Sequence, residues 1–297
     1  MDIALMCALG SGLAFAGVQV ALKEILGHAG SRTAGVKASP FVFPALVGLL
    51  LPLWAALALG GVHSGLLVWD MSWSALRWPL AWACVMVASS TGFAWLIMRF
   101  SLSEVLGYKK GLITLGAAVA DVFWFENVLP LATMGAIVCL LGGAMLLGKQ
   151  ASAPKEGRGK GVSLLILAVW CGVVVLQLSF YKRGLLAQPD VLSYAVLAQG
   201  LAALCFAGLW ARQDVRAALG GMPWRWVSVL LGCVFLGNVM EGFAYKSLPM
   251  ALVLVVTLLP ATLLGAYDLW RGHVRMGRAS VLGFGLILAG FLLLLFG

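Results

Sequence analysis

Ten stretches of about 20 largely apolar residues follow one another along this chain, each long enough to carry a helix across a hydrocarbon core of about 30 Å. They run approximately over 2–26, 41–61, 76–98, 102–125, 129–148, 161–182, 190–211, 223–245, 249–270 and 279–296. Gly, Pro and charge mark the breaks, such as His28 to Pro40, Gly61 to Asp70, Lys149 to Lys160 and Arg212 to Pro223. The 297 residues are 62% hydrophobic and 10% charged, with a mean hydropathy of +1.02. A soluble domain carries about 25% charged residues, so lipid must cover much of this surface. The expected fold is an all-α integral membrane protein of ten transmembrane helices.

The net charge of +9 raises nucleic acid as a partner. The basic residues, however, sit in short gaps between apolar runs, with no tail or stripe, so no nucleic-acid partner is expected. The gaps after odd-numbered runs hold fourteen lysines and arginines, among them Lys23, Lys149, Lys155, Arg158 and Lys160. The gaps after even-numbered runs hold four: Arg77, Lys182, Arg183 and Lys246. By the positive-inside rule the odd-numbered gaps are cytoplasmic and both termini face outward. The six cysteines all lie inside apolar runs without CxxC or Cys/His spacing, which reads as packing; no metal and no cofactor are expected.

The two halves echo one another. Gly92-Phe93-Ala94-Trp95 matches Gly242-Phe243-Ala244-Tyr245, an offset of 150, and Gly135 and Gly142 match Gly283 and Gly290, an offset of 148. Val18-Gln19-Val20 precedes Lys23 as Leu176-Gln177-Leu178 precedes Lys182. The division is a first five-helix repeat over 1–148, a cytoplasmic linker over 149–160 and a second five-helix repeat over 161–297. Five is odd, so the second half enters the membrane from the opposite side. Two inverted halves can open to either face in turn around a site near the midplane, which favours transport over a receptor or enzyme.

The stretch from Gly92 to Leu147, ending in FWFENVLPLATMGAIVCLLGGAMLL, resembles the repeat unit of the EamA-type drug/metabolite transporter superfamily. Glu126 and Gly135 fill the places of a turn glutamate and of the glycine nine residues later. The second copy, from SLPMALVLVVTLLP onward, is similar through Pro249 and Pro260, and GSGLAFAGVQVALK resembles the family's first helix. The resemblance covers nearly the whole chain and implies the superfamily, without a substrate.

A charge at bilayer depth costs roughly 2.5–3.5 kcal/mol on the insertion scale and is a functional-site hypothesis by default. Tyr108-Lys109-Lys110 lies in the fourth run, with Lys109 about 12 Å past Ser101 at 1.5 Å per residue. The pair reads as an anchor for a phosphate or carboxylate of the substrate, or else as lysines that snorkel or pair with Glu104. The resemblance supports the first, since sugar-phosphate and nucleotide-sugar carriers of the superfamily bind phosphate with lysines on the fourth helix. Glu241, beside Asn238, reads as their counter-ion, as a proton-exchanging carboxylate, or as an interfacial partner of Lys246. Gln19 and Gln177 can bond a polar substrate or glue helices, and Ser89, Ser90 and Thr91 have the same two readings. Trp95 and Tyr245 wall a cavity or form part of an interfacial belt.

The expected function is secondary transport of a small polar, anionic metabolite by alternating access, coupled to exchange or protons, in a multi-pass inner-membrane protein that is a monomer or homodimer. The alternative is a flippase or carrier of a phosphate-bearing lipid. A membrane sensor or subunit and an intramembrane enzyme rank lower, the enzyme because the runs carry no nucleophile-base pair or metal cluster.

Overall fold

The computed structural model describes residues 3–32, 41–99, 102–127, 129–151, 160–220, 222–257 and 278–296. Within helices some side chains also lie outside the described set, those of Gln19, Tyr108, Lys109 and Lys110 among them. The described residues are all-α, with no strand among them. In order they form α1 (Ile3–Arg32), α2 (Val42–Gly48), α3 (Leu51–His63), α4 (Trp73–Arg99), α5 (Leu102–Phe125) and α6 (Leu131–Ala151). There follow α7 (Lys160–Ala187), α8 (Val191–Ala207) with a 3-10 turn at Gly208–Ala211, α9 (Gln213–Gly220), α10 (Trp224–Ser247), α11 (250–257) and α12 (Arg278–Phe296). Four stretches among the described residues are long and apolar enough to cross a membrane: Pro44–His63, Leu165–Ala187, Val191–Ala211 and Trp224–Ser247.

The helices track the apolar runs, with physical reasons for the departures. The second run is broken at Leu49–Leu50 into α2 and α3. Pro52, in the first turn of α3, has no N–H to give to Gly48 and its ring crowds that carbonyl. Helix α1 continues to Arg32, so Lys23 and His28 are helical and not loop residues. The break between Arg212 and Pro223 contains a helix of its own, α9. Lys182, counted among the gap residues, lies inside α7.

Packing pairs α1 with α10, α4 with α7, and α6 with α12; α5 lies against α6 and α7, and α8 receives α2, α3 and α4. The α6–α12 seam depends on small residues: a Cβ on Gly143 would stand 2.5 Å from the Gly283 carbonyl oxygen, and one on Gly290 would stand 3.0 Å from that of Ala136. The largest core cluster gathers Trp82, Tyr181, Leu185, Tyr194, Phe206 and Tyr245. A second holds Leu46, Trp54, Val215 and Leu230, and a third holds Leu96, Ile113, Leu167, Trp170 and Cys171. Tyr194 reaches α7 only because residue 184 is glycine, where a Cβ would fall 2.2 Å from its ring.

One end of the bundle is tied by polar contacts between connections that are distant in sequence. Asp190 caps α8, accepting from the Ser193 amide at 2.7 Å, as an N-cap carboxylate does. The 66–72 segment docks on that cap. The Val68 amide donates to Ser193 Oγ at 3.0 Å, Trp69 Nε1 to the Ser193 carbonyl at 2.8 Å, and the Asp70 backbone exchanges hydrogen bonds of 3.1 Å with the Gln188 amide group. The Ser72 amide, then its hydroxyl, holds the exposed Asp70 carboxyl below its usual range.

At the same end α5 stops in a left-handed turn. Glu126 has φ 54°, and the Asn127 amide donates back to the Asp121 carbonyl at 2.9 Å, a helix C-terminus that glycine usually makes. A non-glycine residue there is strained by about 1 kcal/mol. Glu126→Gly is therefore expected to raise the unfolding free energy by about 1 kcal/mol, whereas Glu126→Ala, which keeps a Cβ, leaves it near the parent value. Denaturant unfolding in detergent micelles measures both; equal effects of the two substitutions would remove the strain account.

Candidate functional site

The helix ends just described surround a buried ion pair that the apolar-run reading passes over. Asp121 on α5 is fully buried and Lys182 on α7 is 5% exposed, with Nζ 3.2 Å from Oδ1. Charges so buried are tolerated when their remaining donors and acceptors are met, and here they are. Asp121 Oδ1 also accepts from Asn127 Nδ2 at 3.3 Å, and Oδ2 accepts from the Ala251 amide at 2.8 Å. Lys182 Nζ also donates to the Leu248 carbonyl at 3.0 Å and lies 4.9 Å from the Phe125 ring centroid. Next to it, Arg183 donates to the Trp124 carbonyl at 2.7 Å, at the carbonyl end of α5 where a cation is favoured.

The sequence explains this geometry locally. Pro249 precedes α11 and has no side-chain acceptor for that helix's first amides, which otherwise lack partners. The carboxylate of Asp121 supplies one from another helix. The left-handed turn at Glu126 brings Asn127 back over the same carboxylate. Asp121 was legible only as a lone acidic residue in an apolar run. Lys182 was legible as the last polar residue of its run, which places it in a gap by composition and in the core by structure.

The expected site residues fall in three places. Gln177 and Ser89 meet between α7 and α4, the hydroxyl donating to Oε1, while Trp170 Nε1 donates to the Ser89 carbonyl at 2.8 Å. Gln177 lies ten residues before the end of α7, about 15 Å, so this polar bridge is mid-bundle. Ser90 is half-buried beside it, and Trp95 packs partly buried against the third core cluster.

Glu241, Asn238 and Tyr245 are together on α10. The Tyr245 hydroxyl donates to Glu241 Oε1 at 3.1 Å, and the Tyr181 hydroxyl donates to the Asn238 carbonyl at 3.4 Å. Tyr245 is fully buried, 6.2 Å from the Tyr181 ring, so it belongs to the core and not to an interfacial belt. Lys246 donates to the Pro189 carbonyl at 3.1 Å. Glu241 thus sits at the edge of a tyrosine cluster whose other side is the Asp121–Lys182 pair.

Tyr108, Lys109 and Lys110 are on α5, about 9–12 Å along it from Leu102, and Gln19 is on α1; these four side chains lie outside those described. Along α5, Lys109 and Lys110 are about 17–18 Å from Asp121, so the two charged groups occupy different levels. Ser11 on α1 adds a polar group that sequence reading did not single out: its hydroxyl is fully buried, with no hydrogen-bond partner among the described residues.

The chain is similar to a solved crystal structure at 17% sequence identity, with a TM-score of 0.67 over 98% of this chain and 96% of that one. At that identity the likeness shows a shared fold alone. No protein-family model and no curated protein matches the chain.

Removing one partner of a buried pair leaves an uncompensated charge, at a cost of about 3–5 kcal/mol, whereas replacing both by apolar residues is often neutral. Lys182→Met or Asp121→Asn alone is thus expected to lower the unfolding free energy by about that amount, and the double variant Asp121→Leu/Lys182→Met to recover most of it. Thermal and denaturant unfolding of the four proteins checks this; a double variant no better than the sum of the singles would contradict it.

Proposed function

We propose that this chain is a secondary transporter of the drug/metabolite type, built of ten spans in two inverted five-span halves, that carries a small anionic metabolite across the inner membrane. The observation that supports this most is how helices pair across the halves. In span numbering α1 and α10 are the first and eighth, and α7 and α4 are the sixth and third. Advancing each by five turns the first pairing into the second. The α6–α12 seam joins the fifth and tenth spans, a pair that maps onto itself and so belongs on a two-fold axis. Inverted halves of this kind can exchange conformations to alternate access around a midplane site.

The mid-bundle Ser89–Gln177 bridge supports a polar level between the halves. Lys109 and Lys110 are assigned as the anion anchor, Tyr108 as their neighbour, and Gln19, Gln177, Ser90, Asn238 and Glu241 as polar contacts. Trp95 walls the site, and Tyr245 acts on it through Glu241. The EamA-type resemblance adds the superfamily, and coupling is assigned to exchange or protons. The positive-inside count supports a cytoplasmic linker. Lys182 can be removed from the opposing tally, because Asp121 neutralises it inside α7.

A thermal-shift screen of phosphate- and carboxylate-bearing metabolites on the purified protein, followed by uptake of the hit into proteoliposomes, tests the reading. An anionic metabolite is expected to stabilise the parent and to be taken up, with Lys109→Ala or Lys110→Ala losing at least tenfold in affinity, the equivalent of about 1.4 kcal/mol. Equal stabilisation of parent and both variants would remove the anchor. Headgroup flipping of a phosphate-bearing lipid without metabolite uptake would favour the flippase instead.

A further inference from the structure

The Asp121–Lys182 pair has a feature that a static core bridge does not need: its partners come from both sides of the boundary between the halves. Asp121 and Asn127 belong to the first half, and Lys182, Leu248 and Ala251 to the second. The carboxylate holds the Ala251 amide at 2.8 Å while the ammonium holds the Leu248 carbonyl at 3.0 Å. Together they grip the α10–α11 turn on both sides of Pro249 and tie it to α5 and α7. The docking of 66–72 on Gln188 and Ser193 joins the halves at this same end, as does Arg183 on the Trp124 carbonyl.

We infer that Asp121 and Lys182 form a latch that holds this end of the bundle shut and releases when the halves part. The inference rests on the two-half reading proposed above. The charged contacts that cross between the halves are few and confined to one level, so moving the end of α5 away from α7 and the α10–α11 turn breaks the Asp121–Lys182 and Asp121–Ala251 contacts together. A hydrophobic seam would part gradually; this contact is either made or lost, as a two-state element requires. While it is made, both charges are buried, with the Phe125 ring over the ammonium. When it is lost, the parting of the ends lets water reach both groups, which offsets the cost of separating them.

Each half carries the residue type that the other contributes to the pair, at the repeat spacing. Asp268 stands 147 residues after Asp121, and Lys23 stands 159 before Lys182. Each offset is within one residue of those of the Gly135–Gly283 and Gln19–Gln177 matches. The two residue types therefore recur with the repeat in the sequence.

Spin labels on Phe123→Cys and Ser247→Cys, both exposed and outside the latch, report the separation of the α5 and α10 ends by pulsed electron resonance. The background has the six native cysteines replaced. The parent is expected to show one dominant short distance with a longer minority of about 10% or less, the population of a typical minor state. Lys182→Met and Asp121→Asn are each expected to raise the longer population several-fold. The double variant Asp121→Leu/Lys182→Met, which leaves no orphan charge, should do the same if a single variant fails to fold. A folded variant with the parental distribution overturns the latch. So does loss of folding in all three, because the pair would then be a fixed staple. No substrate is needed, so a chain that moves no metabolite sinks the transport reading alone, and an indifferent distance distribution sinks the latch alone.

Discussion

Burying a lysine and an aspartate in an apolar bundle is tolerable only when every donor and acceptor around them is placed, and that requirement organises one end of this protein. Asp121 needs the Ala251 amide and the Asn127 side chain; Lys182 needs the Leu248 carbonyl. These needs fix where α5 stops, why Glu126 adopts a left-handed conformation, and how α11 begins after a proline. Tyr181, next to Lys182 in sequence, belongs to a tyrosine cluster, and Glu241 meets that cluster through the Tyr245 hydroxyl. A single ion pair therefore ties together the end of α5, its turn at Glu126–Asn127, α7 and the α10–α11 turn.

The rest of the bundle follows from a different constraint, the absence of a hydrophobic driving force between helices in lipid. Seams form where backbones can approach, as at Gly143 and Gly290, or where a polar side chain finds a partner across the gap, as at Ser89 and Gln177. The two kinds of seam differ in how they can move. Small-residue packing on α6 and α12 suits a fixed axis. The polar contact between α4 and α7, two hydrogen bonds that meet at Ser89, suits a surface that rearranges.

The helical architecture was legible because length and hydropathy are properties of consecutive residues. The break at Leu49–Leu50 was implied by Pro52 and hidden in the hydropathy, since one proline in the middle of a run barely lowers its mean. Helix α9 was missed because a short polar helix looks like a loop by composition. The ion pair was missed for a deeper reason: Asp121 and Lys182 are 61 residues apart, and each alone looks like a charge near a helix end. Only a fold brings them to 3.2 Å. Gln177 and Glu241 drew attention as polar residues in apolar runs, and both have structural partners. Those partners, Ser89 and Tyr245, could not be chosen from spacing.

The inverted relation proposed for the halves underlies both the transport reading and the latch, and membrane-impermeant thiol labelling tests it directly. Ser72 and Gln213 each follow the second span of their own half, and both are exposed. Single cysteines at these positions, in a background lacking the native ones and in sealed vesicles of one orientation, should be labelled from opposite faces. Labelling of both from the same face would show two parallel halves and contradict the account.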